Sequence, residues 1–253
     1  METKESHPVY THRWLSAIIF AIAICVAAGM LSNAWRKTHY ISETMKVTGL
    51  AEKNFVSDLI VWNGSFSRKM MSMQDAFAAL KKDADAIQKY LVGKGVNTKE
   101  IVFSAININK EYKNTYDDKG RIKDSYFDGY TLTQSVDIES KEVDKIETMS
   151  REVTELINSG IEFNSSEPRY YYTKLAELKL EMLASATADA KARAERIAKN
   201  AGGGLGGLRN AAMGIFQITG QNSNEEYSYG GNFNTTSKNK TASITAKLEF
   251  GID

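Results

Sequence analysis

The amino-acid sequence predicts an α+β fold, with antiparallel sheet or sheets packed against about three helices and one N-terminal transmembrane helix in front. Three observations carry that expectation. Trp14 to Leu31 contains no charged residue, the hydrophobic period behind it alternates between two and 3.6, and the composition is that of a folded domain, 42% hydrophobic and 25% charged. The 32 Lys and Arg against 31 Asp and Glu leave a formal charge of +1, so bulk electrostatics give no reason to expect nucleic acid. One cysteine cannot form an internal disulfide, and three histidines argue against a multi-histidine metal site.

The apolar run is bracketed by Arg13 and by Arg36-Lys37. At about 1.5 Å per residue it covers roughly 27 Å, close to the ~30 Å hydrocarbon core of a bilayer. Trp14 and Trp35 then fall at the two interfaces, where an apolar ring with a polar N–H is favoured. The chain divides accordingly into a short tail (1–13), a signal anchor (14–35) and a folded domain (36–253). Ser32-Asn33-Ala34 offers small residues for signal cleavage near Ala34, the alternative to a retained anchor. Cys25 follows bulky Ile24, against the small residue a lipoprotein signal wants, and reads as an apolar side chain of the anchor. Flanking charge does not set the orientation. Absence of cysteine from 36–253 permits an oxidising compartment.

Behind the anchor, residues 44–52 are a short strand candidate. A second strand, 55–68, puts Val56, Ile60, Trp62 and Phe66 on one face and Phe55, Leu59 and Val61 on the other, so both faces are apolar and the strand is central. A helix over 71–92 buries Met73, Phe77, Leu80, Ala84, Ile87 and Leu91 and ends at Gly93 and Gly95. Strands at 101–112 and 126–139 form a hairpin, with Asp117, Asp118 and Gly120 supplying turn chemistry in the loop 113–125. A helix over 141–159 lines up Val143, Ile146, Met149, Val153, Leu156 and Ile157 before Gly160.

Ile161 to Tyr172 reads as a strand with a turn at Asn164 to Pro168. Its Tyr170-Tyr171-Tyr172 run must alternate between faces, and strand propensity explains it without a binding platform. The longest helix, 173–200, buries Leu175, Leu178, Met182, Ala186, Ala190, Ala194, Ile197 and Ala201, with Asp189–Arg193 and Glu195–Lys199 pairs on its wet face. Gly202 to Gly207 formally contains a dinucleotide pattern, but it follows a helix and precedes a strand at 211–219, the reverse of what a pyrophosphate site needs. The last strand, 240–250, points Ile244, Ala246, Leu248 and Phe250 inward and Ser243, Thr245, Lys247 and Glu249 outward. Between these strands lies a long polar loop, 221–239, with no apolar period, a length that marks either disorder or function.

Val47-Thr48-Gly49-Leu50-Ala51-Glu52, the strand leading to Trp62, and Ala188 to Leu208 together resemble the SIMPL-domain family of bacterial envelope proteins. In the last segment Ala190, Ala194, Ala198, Gly203 and Leu205 stand where that family repeats alanines before a Gly-Leu turn. The resemblance covers about residues 43–250. It implies an α+β domain exported to the periplasm or anchored in the inner membrane. It further implies a link to oxidative-stress tolerance in some members and a ring-like or cage-like homo-oligomer in at least one. It brings no active site.

The residues agree with that last point. His7, His12 and His39 flank the anchor, which excludes a His-dependent triad in the domain. Asp117-Asp118 and Glu225-Glu226 sit in expected loops, where adjacent carboxylates are normally solvated. No phosphate-binding loop, Cys pair or zinc-binding HExxH helix occurs. No catalytic, cofactor-binding or metal residue is therefore assigned. Met73, Met149 and Met182 read as core, against a role for methionines as oxidant scavengers. The expectation is a non-enzymatic, self-assembling protein, single-pass in the bacterial inner membrane with its domain in the periplasm. The alternative is a monomeric periplasmic sensor or binding module using loops 113–125 and 221–239.

Overall fold

A computed structural model describes residues 13–38 and 43–252, and the structural statements below concern these. His7, His12 and His39 and nearly all of the N-terminal tail lie outside the described residues. The apolar run forms α1 (Arg13–Thr38). Its stretch Ser16–Trp35, 20 residues with a mean hydropathy of 2.2 and none of them buried, is long and apolar enough to cross a membrane. Trp14, Trp35 and Cys25 are exposed on it.

Two long strands follow, β1 (Thr44–Val56) and β2 (Leu59–Met70), in place of the short strand over 44–52 and the strand over 55–68 that the pattern predicts. The break falls at Ser57-Asp58 because the chain changes sheets there, and Val56 is consequently exposed while Ile60, Trp62 and Phe66 are buried. In α2 (Met73–Gly93), Ser72 caps the N-terminus by accepting from the Asp75 N–H at 3.4 Å. Its buried face is Ala76, Leu80, Asp83, Ile87 and Leu91, rotated from the expected stripe, so Met73 and Phe77 are exposed. The rotation is possible because Arg68 of β2 meets the inward Asp83 with two hydrogen bonds, one of them 2.9 Å from Nη2 to Oδ1. Arg68 Nη2 also donates to the Gly160 carbonyl at 2.8 Å.

Next come β3 (Ile101–Phe103), β4 (Asn107–Tyr116) and β5 (Ile122–Ser140). The expected loop 113–125 is therefore mostly strand, because the ladder continues to the Tyr116–Ile122 pair and leaves only a tight turn at Asp117 to Gly120. After α3 (Val143–Glu152) the chain tightens into a 3-10 segment, Val153–Ser159, which ends at Gly160 with φ +73°. A three-residue repeat keeps Val153 and Leu156 on the buried face and turns Ile157 to solvent, against expectation.

The short β6 (Phe163–Ser165) and β7 (Arg169–Tyr171) lead to α4 (Leu175–Asn200). Here Ala198, not Ile197 or Ala201, continues the inward row Leu178, Met182, Ala186, Ala190 and Ala194. The Asp189–Arg193 pair forms at 2.8 Å, whereas Glu195 meets Lys191 at 3.7 Å instead of Lys199. Three strands complete the chain: β8 (Leu205–Met213), β9 (Gln217–Gly220) and β10 (Asn239–Ile252). β8 starts earlier than the expected 211 and passes through Gly206 and Gly207.

These elements build two sheet-and-helix units. In the first, β2-α2-β3/β4-β5-α3-β6/β7 lies in the antiparallel order β3/β4, β5, β2, β6/β7, a split β-α-β-β-α-β arrangement. Its core holds Trp62, Phe66, Leu80, Ile87, Leu132 and Ile146, each buried and each contributing roughly 1.5–3 kcal/mol by leaving water. Phe163 stacks on Trp62 at 5.8 Å and on Phe66 at 6.4 Å.

In the second unit β10 lies between β1 and β8/β9, all antiparallel, with α4 on one face. The chain's first and last strands thus pair, from Thr44 with Gly251 to Val56 with Asn239. The alanine row of α4 has a partner: a Cβ on Gly49 of β1 would lie 2.1 Å from the Ala186 carbonyl oxygen and 2.4 Å from the Ala190 nitrogen. Helix and strand backbones therefore touch, and that close approach is what small residues on both sides permit. β1 is an edge strand, and its outward Leu50 N–H is satisfied by Asp189 Oδ2 of α4 at 2.9 Å.

Candidate functional site

The loop 221–239 is folded, not free. Ile218 N–H donates to the Asn232 carbonyl at 2.7 Å and Asn234 N–H to the Ile218 carbonyl at 2.9 Å, which brings Phe233 beside β9. Gln217 clamps the loop from below: its Oε1 accepts from Asn232 N–H at 2.7 Å and Ser228 N–H at 3.3 Å, and its Nε2 donates to the Ser228 carbonyl at 2.7 Å. Glu225 accepts from Gly220 N–H at 3.1 Å and from the Asn234 amide, so it shapes the loop instead of standing free in solvent.

The far end of the loop joins the two units. Tyr170 N–H of β7 donates to the Thr235 carbonyl at 2.7 Å and Ser57 N–H to the Lys238 carbonyl at 3.0 Å. Lys238 Nζ reaches α3, bonding Asp144 and, at 3.0 Å, Glu147; these carboxylates raise its pKa while it lowers that of Glu147. Lys240 is buried in the junction, with its Nζ donating to the Tyr170 and Asn234 carbonyls at 2.6 Å each. Burial pushes its pKa down to about 8. The tyrosine run spans the same seam. Tyr170 enters the first core and Tyr172 packs on Phe55 of the second unit at 4.8 Å. Ser57 Oγ, at the crossover, is buried without a hydrogen-bond partner among the described residues.

The loop also roofs a cleft of about 420 Å³ on the sheet face opposite α4. Leu50, Ile215, Tyr227 and Tyr229 give it apolar and aromatic surface, and Gln217, Ser228, Ser243 and Thr245 give it neutral polar surface. Thr245 is held at the Gly214 backbone, whose N–H donates to the Thr245 carbonyl at 2.8 Å and where a Cβ would clash with Oγ1 at 2.1 Å.

A second surface feature is the hairpin arm. β5 pairs with β2 only from Tyr130 onward, so Ile122 to Gly129 pair with β4 alone and project about 25 Å at ~3.3 Å per residue. Gly129, at φ +115° and with the Met70 carbonyl 2.8 Å from where a Cβ would be, is the pivot at which the arm leaves the sheet. Opposite partners share a face, so Ile108, Tyr112, Tyr116, Ile122 and Phe127 line one exposed side. Tyr112 meets Phe127 edge-on at 5.9 Å, and Phe127 meets Tyr130 at 5.1 Å.

The remaining sequence candidates resolve into structure. Asp117 is a turn former: it accepts from the Lys119 and Arg121 N–H groups at 2.9 Å each, and the Arg121 backbone N–H followed by its guanidinium holds the carboxyl below its usual range. Gly202 ends α4 with φ +83°. Met149 and Met182 are buried as expected, whereas Met73 is exposed. Among the described residues no three His, Cys, Asp or Glu side chains group as a metal site would need. Ser243, expected on the outward face of the last strand, is on that face but nearly buried there, and Gln217 and Lys240 join the site with no motif to mark them. A signal existed for Lys240, since the inward row of β10 extended backwards passes through Ala242 to that lysine.

Compared with known families, residues 45–250 match SIMPL, described as a protein of unknown function (DUF541). No curated protein matches the chain. The match spans most of the sequence, and the chain belongs to the SIMPL family.

Proposed function

We propose that this SIMPL-family chain, whose N-terminal apolar helix fits a membrane-anchored protein, is a non-enzymatic component of the bacterial cell envelope that assembles with copies of itself. In this reading α1 is retained as a single-pass inner-membrane anchor and the domain lies in the periplasm, a placement supported by the absence of cysteine beyond Cys25. The alternative of secretion after cleavage near Ala34 leaves the same domain in the same compartment. A role in envelope or oxidative-stress tolerance follows from the family resemblance alone.

The observation that carries self-assembly is the arm. A two-stranded ribbon is marginal by itself, and the row of Tyr112, Tyr116, Ile122 and Phe127 along it, continued by Ile108 on the sheet, is the kind of exposed patch that marks an interaction surface. Light scattering of the full chain in detergent across a dilution series tests this. A discrete multimer that Tyr112→Ser with Tyr116→Ser dissociates is the expected result. A monomer at every concentration, or a multimer indifferent to those exposed changes, removes the arm as the interface. The cleft under loop 221–239 favours a second reading, a binding module, from which 113–125 drops out as a recognition loop because it is strand.

A further inference from the structure

We propose that the cleft between loop 221–239 and the open face of the β1/β10 sheet is a binding site for a neutral saccharide of about disaccharide size. The volume, about 420 Å³, lies in the range of small-ligand clefts. Its lining has a consistent chemistry. Tyr227, Tyr229, Leu50 and Ile215 offer apolar surface, and no Lys, Arg, Asp or Glu lines the cleft.

Two observations point to an occupant. Tyr229 is 99% exposed at the rim, an aromatic ring wholly in water on a loop that Gln217 holds in place. On the floor lie Ser243, only 4% exposed, and Thr245, whose hydroxyls face the cleft. A hydroxyl facing a cleft wants a partner, and a wholly apolar guest would leave both floor groups unpaired at a cost.

The same features exclude other classes. A charged guest would lack a counter-ion, and an anion would also face Glu52, whose Oε1 lies 3.5 Å from Tyr227 Oη at the rim. A peptide that binds by adding a strand needs a sheet edge, whereas the cleft lies on a sheet face. A sugar ring has what the cleft lacks: a C–H face to lie on a tyrosine ring, and a perimeter of hydroxyls to exchange hydrogen bonds with Ser243 and Thr245. The clamp by Gln217 means that little ordering of the loop remains to be done on binding.

The test uses the full chain in lipid nanodiscs, free of sugar-headed detergent, with cellobiose and N,N′-diacetylchitobiose as probes in saturation-transfer NMR. At least one probe is expected to bind with a Kd of about 1 mM or tighter, with saturation concentrated on one ring face. Tyr229→Ala, which removes a fully exposed side chain and leaves the fold intact, is expected to weaken binding about tenfold, and Ser243→Ala several-fold. The proposal is overturned if neither probe receives saturation at about 10 mM, or if the transfer is unchanged in Tyr229→Ala. It is also overturned if Tyr227 and Tyr229 become protected as protein concentration rises without sugar, because a second copy would then own the cleft.

Discussion

Gly49→Ala adds one methyl group and is expected to cost about 3 kcal/mol, the upper end of the usual penalty for overpacking. The new Cβ would lie 2.1 Å from the Ala186 carbonyl oxygen, 2.4 Å from the Ala190 nitrogen and 2.8 Å from the Ala190 Cβ. Ordinary van der Waals contact begins near 3.4 Å, so α4 must retreat from β1 by about an ångström, and two of the three obstacles are backbone atoms that cannot rotate away. The retreat also stretches the hydrogen bond from Leu50 N–H to Asp189. Working against this, Gly→Ala lowers the entropy of the unfolded chain by an amount worth about 0.4–1 kcal/mol. Urea unfolding of the full chain followed by far-UV circular dichroism reads the balance. Gly207→Ala is the control, since nothing lies within 4 Å of its Cβ position, and it is expected to be neutral or slightly stabilising. Adding Ala190→Gly to Gly49→Ala should restore little, because the carbonyl and nitrogen contacts persist. If Gly49→Ala is as stable as Gly207→Ala, the helix does not rest on the strand backbone and the packing argument fails.

Three further outcomes are expected. Lys240 has a folded pKa of about 8 against an ordinary value of 10.5, so between those values the unfolded chain holds a proton the folded chain has lost. Its contribution to stability therefore rises as pH increases from about 8 to about 10.5, by at most about 3 kcal/mol, and is flat on either side. The wild-type rise measured in urea should exceed that of Lys240→Met, and parallel pH profiles would contradict the reading. Ser57→Ala removes a buried hydroxyl that has no partner among the described residues, so its urea midpoint should stay level or increase, whereas a loss of more than about 1 kcal/mol would mean an overlooked bond. Gln217→Ala withdraws three hydrogen bonds from the loop, and amide exchange at Ser228 and Asn232 should accelerate by about an order of magnitude or more while β1 and β10 stay protected. Unchanged exchange at those two amides would show that the loop is held by something else.

Local periodicity and segment length were legible in the order of residues. The apolar run without a charge specified α1, the order of strands and helices followed from switches between periods of two and 3.6, and Ile244, Ala246, Leu248 and Phe250 gave away the inward face of β10. The motif around Gly49 and the alanine row carried the family, and they turn out to be two sides of one backbone contact. Tertiary structure alone decided the rest, because it depends on partners distant in sequence. Arg68 made an inward Asp83 acceptable and rotated α2. The ladder between β4 and β5 includes a stretch whose polar composition reads as a loop, since within 113–125 only Tyr116 and Ile122 stand on its apolar side, too few to set a period of two. Polar residues of loop 221–239 form a fixed roof because Gln217 and Lys240, from strands on either side of it, add hydrogen bonds to those the loop makes within itself.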